Sequence, residues 1–167
     1  FLVPGGFGAR GSEGIMKAIN YARINDKPYL GICFGFQLAL IEFGRNECGL
    51  TEISSQEFIP KLENPFIKFM PEQNNFRNYG ASMRLGKHDI RIISNTIANR
   101  IYHTNNIQRR HRHRYEFNQD YRKIVEASGL VLSGHSDNGK RIEIIELPSN
   151  KFFMGVQYHS EFTSRPG

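Results

Sequence analysis

Three side chains have the types and spacing for nucleophilic chemistry: Cys33, His159 and Glu161. A thiol attacks as its thiolate, an imidazole can take the proton, and a carboxylate on the far ring nitrogen fixes the required tautomer. Cys33 sits in Gly31-Ile32-Cys33-Phe34-Gly35, after the apolar Tyr29-Leu30 and before an apolar stretch from Phe36 to about Arg45. That pattern predicts a buried strand, a sharp turn at Cys33 and a helix, the nucleophile elbow with Cys in place of Ser. Flanking glycines permit the tight turn, and the amino end of the helix carries partial positive charge. The expectation is therefore a Cys33 thiolate at neutral pH. Near the other end, Phe152 to Gln157 reads as a buried strand running into His159. On extended backbone, residues i and i+2 project to one side, so Glu161 can accept the Nδ1–H of His159 and leave Nε2 to the thiol. Taken singly, a small Cys between packing glycines and a His at a strand end are ordinary core residues. Together they form a Cys–His–acid set.

Several elements must bring these residues together. Phe1-Leu2-Val3 is an apolar stub leading into Pro4-Gly5-Gly6-Phe7-Gly8. A phosphate loop is one reading of that glycine run, but neither the GxxxxGK[ST] nor the GxGxxG pattern is present. The preferred reading is a strand-end loop that supplies an oxyanion N–H, as an elbow requires from a second loop. Ser12 is a candidate N-cap for a helix over Glu13 to Ile24, with Ile15, Ala18, Ile19 and Ala22 on its buried face. Strand, helix, strand, helix with short connections predicts an α/β fold with a mostly parallel sheet and helices on both faces. Further along, strands are expected over 66–70, over 83–86 paired with 88–93 about a turn at Gly86-Lys87, over 109–117, over 130–133 and over 141–147. Short helices are expected over 96–102 and 120–128. Pro71 to Ser82 reads as an exposed loop. In Arg109-Arg110-His111-Arg112-His113-Arg114, alternation sends basic residues to both faces. Arg114 could point into a site, or the run could be a solvated edge strand. Glu57 reads equally as a solvated loop carboxylate.

Composition bounds the class. A chain of 167 residues, 39% hydrophobic and 23% charged, suits one domain (1–167) with a proper core. Cys33 and Cys48 form neither a CxxC pair nor a zinc-ligand spacing, which favours a reducing, cytoplasmic setting and no metal site. No apolar run approaches the roughly 20 residues of a membrane span. The net charge of +6 is scattered, without a basic stripe carrying interleaved aromatics, so a small anionic ligand is expected rather than nucleic acid. Phe1 is not Met and already lies in a strand, and the chain stops at Arg165-Pro166-Gly167. It is expected to be part of a longer polypeptide, truncated at both ends.

Six stretches resemble, in order, the motifs of the class I (Cys–His–Glu) glutamine amidotransferases. They are Pro4 to Gly8 with Arg10-Gly11, Gly31 to Gln37, Ser55-Gln56-Glu57-Phe58, Met83-Arg84-Leu85-Gly86, Arg110 to Glu116 and Gln157 to Phe162. The Arg/His run and Met-Arg-Leu-Gly are most similar to the glutaminase domains of the CTP synthase family. The resemblance implies a flavodoxin-like fold in which Cys33 forms a glutamyl thioester, His159 shuttles protons and Glu161 orients it. It also implies that the N–H groups of Gly6 and Phe34 hold the oxyanion. Gly35, Phe36, Gln37, Glu57 and Arg114 would complete the glutamine subsite, with Glu57 facing the ammonium and Arg114 the carboxylate. In that family the ammonia passes to an amidoligase domain, absent here, that uses ATP and magnesium to convert UTP to CTP. GTP is an activator near a lid that leads into Met83-Arg84-Leu85-Gly86, and the full enzyme is a homo-oligomer. Three departures stand out: Ser160 replaces the usual Pro, and Phe34 and Phe36 replace Leu and Met. Ser160 is expected to loosen the His159–Glu161 geometry. Competing expectations are a gamma-glutamyl hydrolase-like or other Cys–His–Glu amidase, and an inactive nucleotide-binding or assembly domain.

Overall fold

The structure, a computed structural model, describes residues 1–70 and 83–165. The loop expected over 71–82, with the lid assigned to it, lies outside these residues.

A seven-stranded sheet carries the site. Its strands are β1 (Leu2–Val3), β2 (Tyr29–Ile32), β4 (Arg84–Ile92), β5 (Asn106–His113), β7 (Val131–Ser136), β8 (Arg141–Glu146) and β9 (Phe153–Val156). The spatial order is β1-β2-β9-β8-β7-β4-β5. Pairing is parallel at β1–β2 and β2–β9 and antiparallel at the other four contacts. Following the directions across the sheet, β1, β2, β9, β7 and β5 run one way and only β8 and β4 oppose them. The strand direction is thus mostly common, as expected, although parallel hydrogen bonding is confined to the side that carries the elbow. A separate antiparallel pair joins β3 (Ile67–Phe69) to β6 (Tyr115–Phe117).

Among the described residues four α-helices cover both faces. On one lie α1 (Ser12–Ile24), α2 (Phe34–Asn46) and α4 (Arg122–Ala127), packed with Tyr29, Phe36, Leu132, Ile145 and Phe153 in the larger core. On the other, α3 (Ile97–Tyr102) contributes Ala98 to a smaller core with Ile32, Ile90, Ile144, Val156 and Tyr158. Two buried polar clamps fix helices. Arg23 donates to Glu42 from Nη2 at 2.8 Å and from Nε at 3.0 Å, tying α1 to α2. Glu146 accepts the N–H groups of Ile97 (2.5 Å) and Ala98 (3.2 Å) at the start of α3, whose N-cap Thr96 accepts from Asn99.

Local expectations needed four corrections, the first being that the strand expected over 109–117 breaks at Arg114 into β5 and β6, which belong to different sheets. Ser12 is not an N-cap; Gly11 (φ 77°) holds that place, and the Ser12 hydroxyl donates to the Ala9 carbonyl. Gly86 makes no turn, because β4 passes through it at φ 86° with unbroken pairing to β5. The helix expected over 120–128 forms as one 3-10 turn followed by α4, ending at Gly129 (φ 101°).

Candidate active site

Cys33 sits between the last residue of β2 and the first of α2 with φ 51° and ψ −95°. A side-chain-bearing residue occupies this region only where its surroundings force it there. Those surroundings are identifiable. The Cys33 N–H donates to the Val156 carbonyl at 2.7 Å, extending the β2–β9 ladder. The buried Tyr29 hydroxyl donates to the Gly35 carbonyl at 2.9 Å, bracing the far side of the turn. Glycine is required at both flanks. A Cβ on Gly31 would lie 2.5 Å from the Tyr29 hydroxyl, and one on Gly35 would strike the Val3 carbonyl oxygen. The expected elbow is present.

His159 follows β9 but leaves it, and Glu161 lies in a 3-10 turn over Ser160–Thr163 rather than on extended backbone. The contact forms nonetheless: His159 Nδ1–H donates to Glu161 Oε1 at 2.6 Å. Ser160 in place of Pro leaves this geometry closed, because the turn and not the residue between them sets it. The Cε1 edge of the imidazole abuts Gly5, where a Cβ would lie 2.7 Å from it, and the ring of Phe162 stacks on its face at 4.6 Å and 8°. With Nδ1 bound, Nε2 offers its lone pair; it is buried and has no hydrogen-bond partner among the described residues.

The strand β5 joins the two. The Arg110 carbonyl accepts the His159 N–H at 2.9 Å, and the Arg112 carbonyl accepts the Cys33 thiol at 3.8 Å. Alternation in the basic run is therefore real, but within β5 its inward members are His111 and His113, each 2% exposed, while Arg114, just past β5, acts on Glu57. His113 Nδ1–H donates to the Tyr115 carbonyl (2.9 Å), so His113 Nε2 accepts from His111 Nδ1–H (3.1 Å). Beside them Arg84 donates to Glu143 at 2.5 Å and to Ser136 at 3.0 Å. Burial, with Arg84 nearby, holds the His113 imidazolium down to about 3 and that of His111 lower still, so both rings are neutral.

The sulfur is a thiol, not the thiolate expected from the helix terminus. Burial pushes Cys33 up to about 12; the Phe34 N–H and the Gln157 amide favour the anion, while Glu57 and Glu161 oppose it. At this site desolvation outweighs the helix end. Phe34 N–H faces the sulfur, and the Phe34 ring covers Gly6, where a Cβ would lie 3.3 Å away. The Phe34 side chain thus lies beside Gly6. Glu57 is held by a strap over Ser54–Glu57 that adds to β3. Gln56 N–H donates to the Ile67 carbonyl (2.9 Å), and Gln56 Oε1 accepts from Phe69 (2.8 Å). Glu57 Oε1 accepts the Gly8 N–H at 2.7 Å. Burial raises this carboxyl, against the pull of the Gly8 N–H and the Arg114 charge. Glu57 is therefore no solvated loop residue.

Three expected subsite residues sit differently. The Phe36 side chain is fully buried in the larger core against Gly155, and Gly35 faces β1, so only their backbone borders the turn. The Gln37 amide is committed to the Tyr115 carbonyl (3.1 Å) and to Gln157 (3.1 Å), behind the sulfur. Sequence reasoning missed Gly5, Gln157 and the two β5 carbonyls. The glycine run and the Gln157-x-His159 spacing were the available signals for the first two. Among the described residues no group of acidic, His and Cys side chains could hold a metal ion.

The whole chain, residues 1–167, matches the family described as glutamine amidotransferase class-I. It is 52% identical over 165 residues to the CTP synthase of Archaeoglobus fulgidus and 54% over 166 to that of Methanothrix thermoacetophila. These alignments cover 99% of this chain but 31% and 30% of the relatives, so the chain spans under a third of their length. The glutaminase domain of Trypanosoma brucei CTPS with bound acivicin superposes with a TM-score of 0.90 at 39% identity, covering 99% of this chain and 64% of that one. A glutamine amidotransferase from Thermotoga maritima shares the fold alone, with a TM-score of 0.56 at 14% identity over 95% of this chain and 55% of that one.

Proposed function

Because the chain belongs to the class I glutamine amidotransferase family, we propose that it hydrolyses the side-chain amide of L-glutamine, as the glutaminase part of a CTP synthase. The observation that carries this is that a strained Cys33 and a His159 whose Nδ1 is already held by Glu161 are both bound to carbonyls of one strand, those of Arg112 and Arg110 in β5. Entry of the substrate displaces the thiol from the Arg112 carbonyl, and His159 Nε2 takes its proton. The sulfur attacks the amide carbon while the Gly6 and Phe34 N–H groups receive the developing oxyanion. His159 then protonates the departing nitrogen, releasing ammonia and leaving a glutamyl thioester at Cys33. Water, losing its proton to His159, cleaves the thioester to glutamate and restores the thiol. Glu57 is suited to the substrate's ammonium and Arg114 to its carboxylate.

The ammonia would serve an amidoligase domain that binds ATP and magnesium and aminates UTP, with GTP as activator in a homo-oligomeric, cytoplasmic enzyme. The 52% identity to a CTP synthase and the 0.90 superposition on a CTPS glutaminase domain support this pathway. Ammonia release from glutamine, with Cys33→Ala as control, tests the reading. A slow rate in the chain alone, rising when an amidoligase domain is supplied, is expected. Equal rates in the chain and in Cys33→Ala would sink it.

A further inference from the structure

Behind Cys33 runs a row of amides whose polarity is set from one end. The Tyr115 carbonyl can only accept, so Gln37 turns its NH2 toward it at 3.1 Å. The same NH2 donates to Gln157 Oε1 at 3.1 Å. Gln157 is thereby obliged to present its own NH2 on the opposite side, 3.7 Å from the Cys33 sulfur. Reversing Gln157 would oppose two NH2 groups, and reversing Gln37 would oppose two carbonyls. Both side chains are buried, at 4% and 1% exposure, so water cannot relieve either clash. The backbone of Gln157 is pinned as well, its N–H donating to the Glu143 carbonyl at 2.9 Å.

We propose that Gln157 is a catalytic residue, an N–H donor that aims the Cys33 sulfur and stabilises its anion, and that Gln37 and the Tyr115 carbonyl are positioning groups that fix the donor's direction. This rests on the reading of Cys33 as the nucleophile. The need for such a donor is evident in the charges around the sulfur. Glu57 on the strap and Glu161 after β9 both oppose a thiolate. Arg114 after β5 acts on Glu57. Phe34 N–H must turn to the oxyanion during attack, whereas the Gln157 amide remains with the sulfur throughout.

The test uses the full chain without glutamine. Alkylation of Cys33 by iodoacetamide is followed across alkaline pH on the peptide that contains it, which keeps Cys48 out of the measurement. Gln157→Met preserves length and removes the donor. Its apparent Cys33 pKa should rise by about one unit, equivalent to roughly tenfold less thiolate at each pH on the rising limb. Gln37→Met should shift it the same way by a smaller amount. An unchanged apparent pKa in folded Gln157→Met overturns the proposal, and so does a slowing equal at every pH, the mark of a merely structural role. Should Gln157→Met fail to fold, an unchanged apparent pKa in Gln37→Met is equally decisive. None of these outcomes touches the Cys33→Ala ammonia measurement, which tests the nucleophile itself.

Discussion

At the scale of single residues, burial and geometry divide the work of activation. Burial keeps Cys33 protonated, with its hydrogen on a backbone carbonyl. Reactivity must then arise when a substrate rearranges the contact, which spares the thiol from wasteful chemistry between turnovers. His159 is prepared in advance by a carboxylate at 2.6 Å, a glycine at the Cε1 edge of its ring and a phenyl stacked on its face. Glu161→Gln keeps the shape but lets Nδ1 lose its preference for carrying the proton. We expect kcat to fall on the order of 10³-fold with KM little changed, read from steady-state ammonia release. A matching rise in KM would place Glu161 on the substrate instead. These residues were legible in the sequence because the chemistry dictates their types. The Arg110 and Arg112 carbonyls were not, since every residue has one and only the path of β5 selects which two matter.

At the scale of elements, glycines and buried polar groups fix where the site residues fall. Gly35→Ala would drive a Cβ into the Val3 carbonyl and prise β1 from α2. Overpacking of that kind costs about 3 kcal/mol, measurable as a lower urea midpoint with an unchanged slope. The β5 strand is held by the neutral His111–His113 pair beside Arg84 and Glu143. For imidazoles whose folded pKa lies below the unfolded value of 6.5, stability is full above pH 6.5 and is lost as pH falls toward about 3. The unfolding free energy should therefore drop across that window, and less steeply in His111→Gln/His113→Gln. Equal slopes would show that the pair does not bind protons on unfolding. The strand itself was legible from alternation. Which side faced inward was not, because a run of Arg and His gives no contrast between faces. Only the partners Arg84, Ser136 and Glu143, distant in sequence, decide it.

At the scale of the whole molecule, the order of elements was readable and the closure of the sheet was not. Strand–helix–strand–helix through Arg45 announced the α/β class, and the elbow lies where that arrangement puts it. The antiparallel half, with β4 as one unbroken strand, depends on pairings between segments far apart in sequence, such as Arg91 with His135. Curling is what unites the ends. In the strand order β5 is terminal, four places from β9, yet its carbonyls bind the backbone just past β9 and the sulfur just past β2. A terminal strand left bare is a template for association with other chains. Here His159 and Cys33 occupy two of its hydrogen-bonding positions, so the reactive groups also act as the molecule's guard against self-association. Lesions that unseat the tail around His159 should therefore show turbidity together with lost turnover, read by light scattering beside ammonia release.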